Sequence, residues 1–280
     1  MKKFIICLAA GLACMVAAAQ AKIETKKFKI ADFQDCITKV VLTGNDMKDS
    51  FLRKEVVDHW NISPFEFCTA EEFETLKTKD NNYFLMYVDG QYGHEMDAGI
   101  EFLTLVKGGP EAAEGIGAMT EVVSIPSGPA RDNGREFTFL PALLDIMQDY
   151  TRKAIEKELT NFVGLNLYNR NLSASGIKRI YMAEQDLSFR VSPADKAKYI
   201  DEDIILCDED DADEVFEKGT YHTLVSFVVA PKEPTSGSVC HKMLIGADDH
   251  RLYYVAKHKI TGKTGVGLLS SDLKKIAGPR

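Results

Sequence analysis

The sequence predicts an α/β fold built from two similar β-α-β-α-β halves with mixed sheets, an internal duplication. Three observations carry this. β-Branched runs alternate with stretches of helical spacing between residues 37 and 106. The same order of strand, helix and strand returns after a shift of 139 residues. The chain has 280 residues, 45% of them hydrophobic and 27% charged, so it is long and apolar enough to bury a substantial core.

That composition excludes collagen-like, low-complexity and wholly disordered chains. Lys and Arg total 34 against 42 Asp and Glu, a net charge of −8, which argues against a general nucleic-acid binder. Beyond the N-terminus no apolar run is long enough to span a bilayer.

The elements follow in order. Residues 1–21 read as a secretory signal peptide: Lys2 and Lys3, an apolar run from Phe4 to Ala18, then the small-x-small site Ala19-Gln20-Ala21. The rival is a lipoprotein signal at Cys14. It is opposed by Gly11 and by the apolar run continuing past that cysteine. Cleavage removes 21 residues, two lysines among them, taking the length from 280 to 259 and the net charge from −8 to −10. The expected location is periplasmic or secreted.

Residues 22–163 form the expected first domain. Ile37–Thr43 is a strand ended by Gly44-Asn45, and Met47–Trp60 has helical spacing with Asn45 or Asp46 as cap. Phe65–Cys68 is a short strand. Thr69-Ala70-Glu71-Glu72 is a capping box for a helix burying Phe73 and Leu76. Tyr83–Val88, apolar throughout, is a central strand, and Ile100–Val106 is another. A Gly- and Pro-rich insert, 108–134, contains the strand Glu121–Ile125. Phe139–Phe162 carries one long apolar stripe, with Pro141 in its first turn, and either bridges the halves or covers the first sheet. The loop 164–175 is the expected boundary. Residues 164–280 form the second domain, with a hairpin over Met243–Ile260 and a short helix over Ser270–Ile276.

The 139-residue shift lays Val41 on Ile180, Phe67 on Leu206, Cys68 on Cys207, Leu85 on Leu224 and Leu105 on Leu244, with no gap from 40 to 106. After signal removal Cys36, Cys68, Cys207 and Cys240 remain, and their pairing is open. Cys68 and Cys207 lie in core strands, so at least two free, buried thiols are expected. No CxxC is present.

The stretch KVVLTGNDMKDSFLRKEVVDHWNISPFEFCTAEEFETLKTKDNNYFLMYV resembles an uncharacterised exported protein family of Bacteroidetes, in which a helix ending in Trp precedes an sPFEF strand and an EEFE helix. The resemblance covers about fifty residues well and the second half loosely. It implies an envelope location and no particular chemistry. In element order alone the halves are similar to the N-terminal domain of TolB and to the LpoB and CsgG group, which are envelope assembly and protein-contact modules.

The six histidines are His59, His94, His222, His241, His250 and His258. Tyr92-Gly93-His94-Glu95-Met96-Asp97 is the most suggestive patch: His94, Glu95 and Asp97 are the candidate ligand-binding residues. One loop makes at most a partial site, and a polar loop is the plainer reading. Asp248-Asp249-His250 offers metal ligands, yet aspartates at a hairpin tip generally make the turn. His241 and His258 would bind zinc only if they faced each other across strands. Asp208–Glu214 fails the EF-hand pattern and reads as an acidic helix start. Gly115-Ile116-Gly117 and Gly262-Lys263-Thr264-Gly265 lack the strand-then-helix context of phosphate loops. Cys240 and His241 point to opposite faces of a strand, which leaves Cys240 only His222 or His258 as partner. Trp60, before Ile62-Ser63-Pro64, reads as a helix-to-sheet anchor. No metal and no cofactor are expected. The expectation is an exported, non-enzymatic envelope protein binding a protein partner or a small ligand in an interdomain cleft. The alternative is a periplasmic hydrolase whose groups meet only in the fold.

Overall fold

The computed structural model describes residues 30–92, 95–130, 134–156 and 163–278. The expected signal peptide 1–21, His94 and residues 157–162 of the expected long helix lie outside them.

In the first half, β1 (Ile37–Val41), α1 (Asp46–His59), β2 (Phe65–Cys68), α2 (Ala70–Leu76), β3 (Asn82–Gly90), β4 (Ile100–Lys107) and β5 (Thr120–Pro129) form a five-stranded sheet of order β2-β1-β3-β4-β5. β1 is parallel to β2 and β3, and β4 is antiparallel to both β3 and β5. The second half repeats the plan. It contains β6 (Arg179–Ala183), α5 (Pro193–Tyr199), β7 (Ile204–Cys207), α6 (Glu209–Glu217), β8 (Thr223–Val229), β9 (Val239–Gly246), β10 (Leu252–Lys259) and α7 (Ser270–Ile276). Its sheet order, β10-β9-β8-β6-β7, is the same topology. Between the halves run α3 (Arg135–Glu156) and α4 (Asn169–Ala174).

Local chemistry sets the boundaries. Asn45 caps α1 by accepting from Lys48 N at 3.1 Å. Thr69 and Glu72 close the expected capping box on α2. β3 is central, as its continuous apolar run implies. Trp60 is buried with its indole N–H on Ser63 Oγ at 3.1 Å, an anchor rather than a platform. All four described cysteines are free.

Two details depart from expectation. The ungapped 139-residue shift holds for β2, β7, β4 and β9 but not for the first strands. Against β2 and β7, Val41 pairs with Cys68 and Ala183 with Cys207; against β3 and β8, Val40 pairs with Leu85 and Ile180 with Leu224; in neither register does Val41 match Ile180. The difference falls in the first crossover, which holds the 14-residue α1 in one half and a 3-10 turn plus the 7-residue α5 in the other. Helix α3 starts at Arg135, four residues before Phe139, so Pro141 lies inside it and not in its first turn. The proline has no N–H to offer the carbonyl four residues back. Burial of Phe139, Leu140, Leu143, Leu144 and Met147 outweighs that loss.

The halves stack in tandem rather than as mirror partners. One continuous core joins Leu52 and Val56 of α1 and the stripe of α3 to Ala212 and Phe216 of α6 and Val225 and Phe227 of β8. The other faces hold smaller cores, around Phe73 of α2 in the first half and Leu273 and Ile276 of α7 in the second. Helix α3 therefore does both things asked of it: it covers the first sheet and bridges to the second. The boundary segment 164–175 packs along edge strand β10. Asn169 Oδ1 accepts from Val255 N at 2.7 Å, and its Nδ2 donates to Val255 O at 3.0 Å, which blunts a free edge.

Candidate functional site

In open α/β sheets the crevice outside the carboxyl ends of the strands, where the strand order reverses, is the natural binding place. Each half has such a point, beside β1 and β3 in one sheet and β6 and β8 in the other. The first is closed by its own chain. After β1, Gly44 adopts a left-handed turn (φ +82°), and Asp49 accepts from Thr43 N at 2.7 Å and Gly44 N at 3.0 Å. A carboxylate thus occupies the place an anion would take.

The second crevice is filled from the other half. Beyond the pair Tyr181–Val225, β6 and β8 part, and Ser226 Oγ accepts from Ala183 N at 3.1 Å in place of a backbone carbonyl. The carbonyl so released, Ser226 O, accepts from Arg135 Nη2 at 3.0 Å. The guanidinium also bonds both oxygens of Asp186, at 3.0 and 3.1 Å, and Asp213 through Nε at 2.9 Å. Ser226 Oγ completes the knot with a 2.6 Å bond to Asp186. The planar fork of arginine suits this two-carboxylate arrangement, which a lysine could not reproduce. Burial works against the charge, but Asp186 and Asp213 hold the Arg135 pKa above its usual value. Burial pushes the Asp213 and Glu209 carboxyls up, with Arg135 partly offsetting it. The Asp186 loop is itself pinned by Leu268 N at 2.7 Å, where Gly267 passes so close that a Cβ would meet Asp186 O at 2.7 Å.

Beside this knot lies a cavity of about 310 Å³. Its described lining includes Ser127 and Pro129 at the end of β5, Glu136 on α3, Glu209 at the start of α6, and Phe227 and Val229 on β8. β5 and β8 run in the direction of the parallel strands of their sheets, so the cavity opens at carboxyl ends of both sheets. Behind it, Lys48 of α1 pairs with buried Glu101, whose carboxyl burial raises and Lys48 pulls back. Ser127 Oγ donates to Glu101 O at 3.0 Å.

Ten residues further along α3, about 15 Å at 1.5 Å per residue, a second cluster joins the halves. His59 from α1, Asp145 from α3 and His250 from the β9–β10 tip meet with one ligand atom each, all within 4.8 Å of one another. His250 Nδ1 is 2.7 Å from Asp145 Oδ2, and His59 Nδ1 is 3.4 Å from it. At the same tip Asp249 accepts from Arg251 N and makes the turn, Asp248 instead accepts from His222 N and ties the tip to the start of β8, and His250 reaches α3.

Of the loop residues singled out from sequence, Glu95 is buried and Asp97 exposed. Glu95 Oε2 accepts from Tyr92 N at 2.7 Å, and Oε1 has no partner among the described residues. His94 lies outside those residues. His241 and His258 do not face each other: His258 pairs with Cys240 and His241 with Lys257. His241 is buried against Tyr92 and Phe102, and burial lowers its pKa to about 3. Cys240, directly across from His258, is a thiol raised by burial to about 11, which suits core packing and not nucleophilic attack.

Sequence reasoning missed Arg135 and Asp186, since a lone Arg before a helix and an Asp after a strand carry no local signature. It noted His59 and His250 without joining them. The acidic run did start a helix, as expected, and Asp213 within it proved to be a partner of Arg135. No family model, curated protein or solved structure matches the chain. The fold and these clusters define a two-half mixed α/β protein. Among the described residues no helix is long and apolar enough to cross a membrane.

Proposed function

We propose that the chain is an exported envelope binding protein that takes a small ligand bearing a cationic group, an amine or guanidine, in the cavity between its halves. The observation that supports this is the charge around the 310 Å³ cavity at the strand ends: among the described lining residues the one guanidinium, Arg135, is already engaged by Asp186 and Asp213, with Glu209 Oε2 3.7 Å from it, and Glu136 and Glu209 also line the cavity. An anionic ligand meets net repulsion there, whereas a cation with an apolar body meets Glu209 together with Phe227, Val229 and Pro129. The volume is at the small end of ligand pockets, suited to a molecule of amino-acid size. The test is a thermal-shift and calorimetric screen of small amines, guanidines and matched carboxylates. Cationic compounds should bind saturably and lose at least tenfold in affinity in Glu209→Gln. Preferential binding of carboxylates, or cation binding indifferent to that change, would refute the reading.

A periplasmic hydrolase is the second reading, favoured by one observation: His59, Asp145 and His250 meet from three distant segments. Turnover of ester, amide or phosphoester substrates by the purified chain, abolished in His59→Gln, would establish it.

A further inference from the structure

We infer that His59, Asp145 and His250 bind a single zinc(II) ion that ties α1, α3 and the β9–β10 hairpin together. This site is separate from the cavity, and its fate does not depend on what that cavity binds. Two imidazoles and one carboxylate are the donor set of borderline divalent ions such as zinc, not of calcium or magnesium, which take oxygen. The three ligand atoms lie within 4.8 Å of one another, and one of the pairs already has the spacing the ion needs. Zinc–ligand bonds of about 2.0–2.1 Å in a tetrahedron place ligand atoms roughly 3.3–3.4 Å apart, and His59 Nδ1 stands 3.4 Å from Asp145 Oδ2. His250 Nδ1, at 2.7 Å from the same oxygen, is at hydrogen-bond distance. Losing that proton to solvent on metal binding lets the pair open to the ligand spacing.

The surroundings orient the ligands. Glu55, buried, lies with its Oε2 3.5 Å from His59 Nε2, behind the ring and opposite Asp145. It is placed to accept from Nε2–H, which fixes the tautomer that leaves the Nδ1 lone pair for the ion, the carboxylate–histidine–metal relation. Gln148 Nε2 donates to His59 O at 3.0 Å and approaches Asp145 Oδ1 at 3.4 Å, fixing both ligand-bearing helices. The His250 ring stacks on Phe216 with centroids 5.5 Å apart. Its backbone is left-handed (φ +54°), a strained setting for histidine that aims the ring at α3. The three side chains are 24–33% exposed, which leaves the ion a fourth position open to water.

The test uses the mature chain stripped with chelator and titrated with cobalt(II), then zinc(II). One equivalent of cobalt should give the visible absorption of a four- or five-coordinate nitrogen–oxygen site, displaced by stoichiometric zinc. His59→Gln and Asp145→Asn should each weaken zinc at least tenfold. Glu55→Gln should weaken it roughly tenfold through the His59 tautomer. His250→Asn, chosen because Asn tolerates the left-handed backbone, should weaken zinc at least tenfold while near-UV circular dichroism stays native. His222→Asn, outside the cluster and at a backbone that is likewise left-handed (φ +54°), should leave affinity unchanged. Absence of saturable one-to-one binding overturns the proposal, as does equal affinity in folded His250→Asn, or loss in His222→Asn equal to that in the cluster variants.

Discussion

The two ends of α3 perform the same task in opposite ways. At Arg135, protein groups from the second half answer every direction of the guanidinium: Asp186, Asp213 and the Ser226 carbonyl. At Asp145, two histidines converge on one carboxylate oxygen, and the site stays a quarter to a third exposed. The first end is a closed joint that holds the halves without help. The second has lone pairs left over, which is what a metal site requires. Phe139 lies between them, stacked on Phe227 with centroids 4.3 Å apart and against Phe216 at 4.3 Å, and Phe216 in turn stacks on His250. The helix is continuous, so the contrast comes from what the second half presents to it.

Arg135→Met should cost about 3–5 kcal/mol in urea unfolding, because it strands Asp186 and Asp213 without their counter-charge. A loss below about 1 kcal/mol would show that the joint is ornamental. Phe139→Ala should cost a similar 3–5 kcal/mol by opening a cavity between the sheets. Its coupling to Phe216→Ala in a double-mutant cycle, about 0.5–1.5 kcal/mol, would confirm that the aromatic stack links the two ends.

A pH series sharpens the picture at the interface away from α3. The folded His241 pKa lies near 3, below its ordinary 6.5, because burial disfavours the charged ring. A depressed folded value means protons bind preferentially to the unfolded chain. The contribution is therefore intact above pH 6.5 and drains as pH falls from 6.5 toward 3, by about 1.4 kcal/mol per pH unit. His241→Phe should flatten most of that slope. His258, also lowered by burial first, should leave a residue of it. The smallest effect belongs to the open end: Asp145→Asn, measured in chelator, should change stability by less than about 1 kcal/mol, as expected of partly exposed pairs. A large loss there without metal would make both ends structural joints.

Much of the fold was legible because its signals are local. The capping box at Thr69, the continuous run of β3 and the tip at 247–251 each depend on neighbours in sequence. The start of α3 was not legible. Pro141 marks a helix start in the general case, and only the burial of residues on both sides carries the helix through it. The same holds for the Asp208–Glu214 run: its acidity announces a helix N-terminus, while the reason for Asp213 lies 78 residues away in Arg135.

The α/β class, the repeated strand order and most element limits can be read from residue order, because hydrophobic period and turn chemistry act over a few residues. How the halves meet is set by the folded chain. Their tandem stacking turned Arg135 into the occupant of the second crevice and brought His59, Asp145 and His250 together. Those groups lie from 51 residues apart, Arg135 and Asp186, to 191 apart, His59 and His250. Such separations leave no periodic trace in the sequence, since the groups are joined by the closing of the core and not by any local preference.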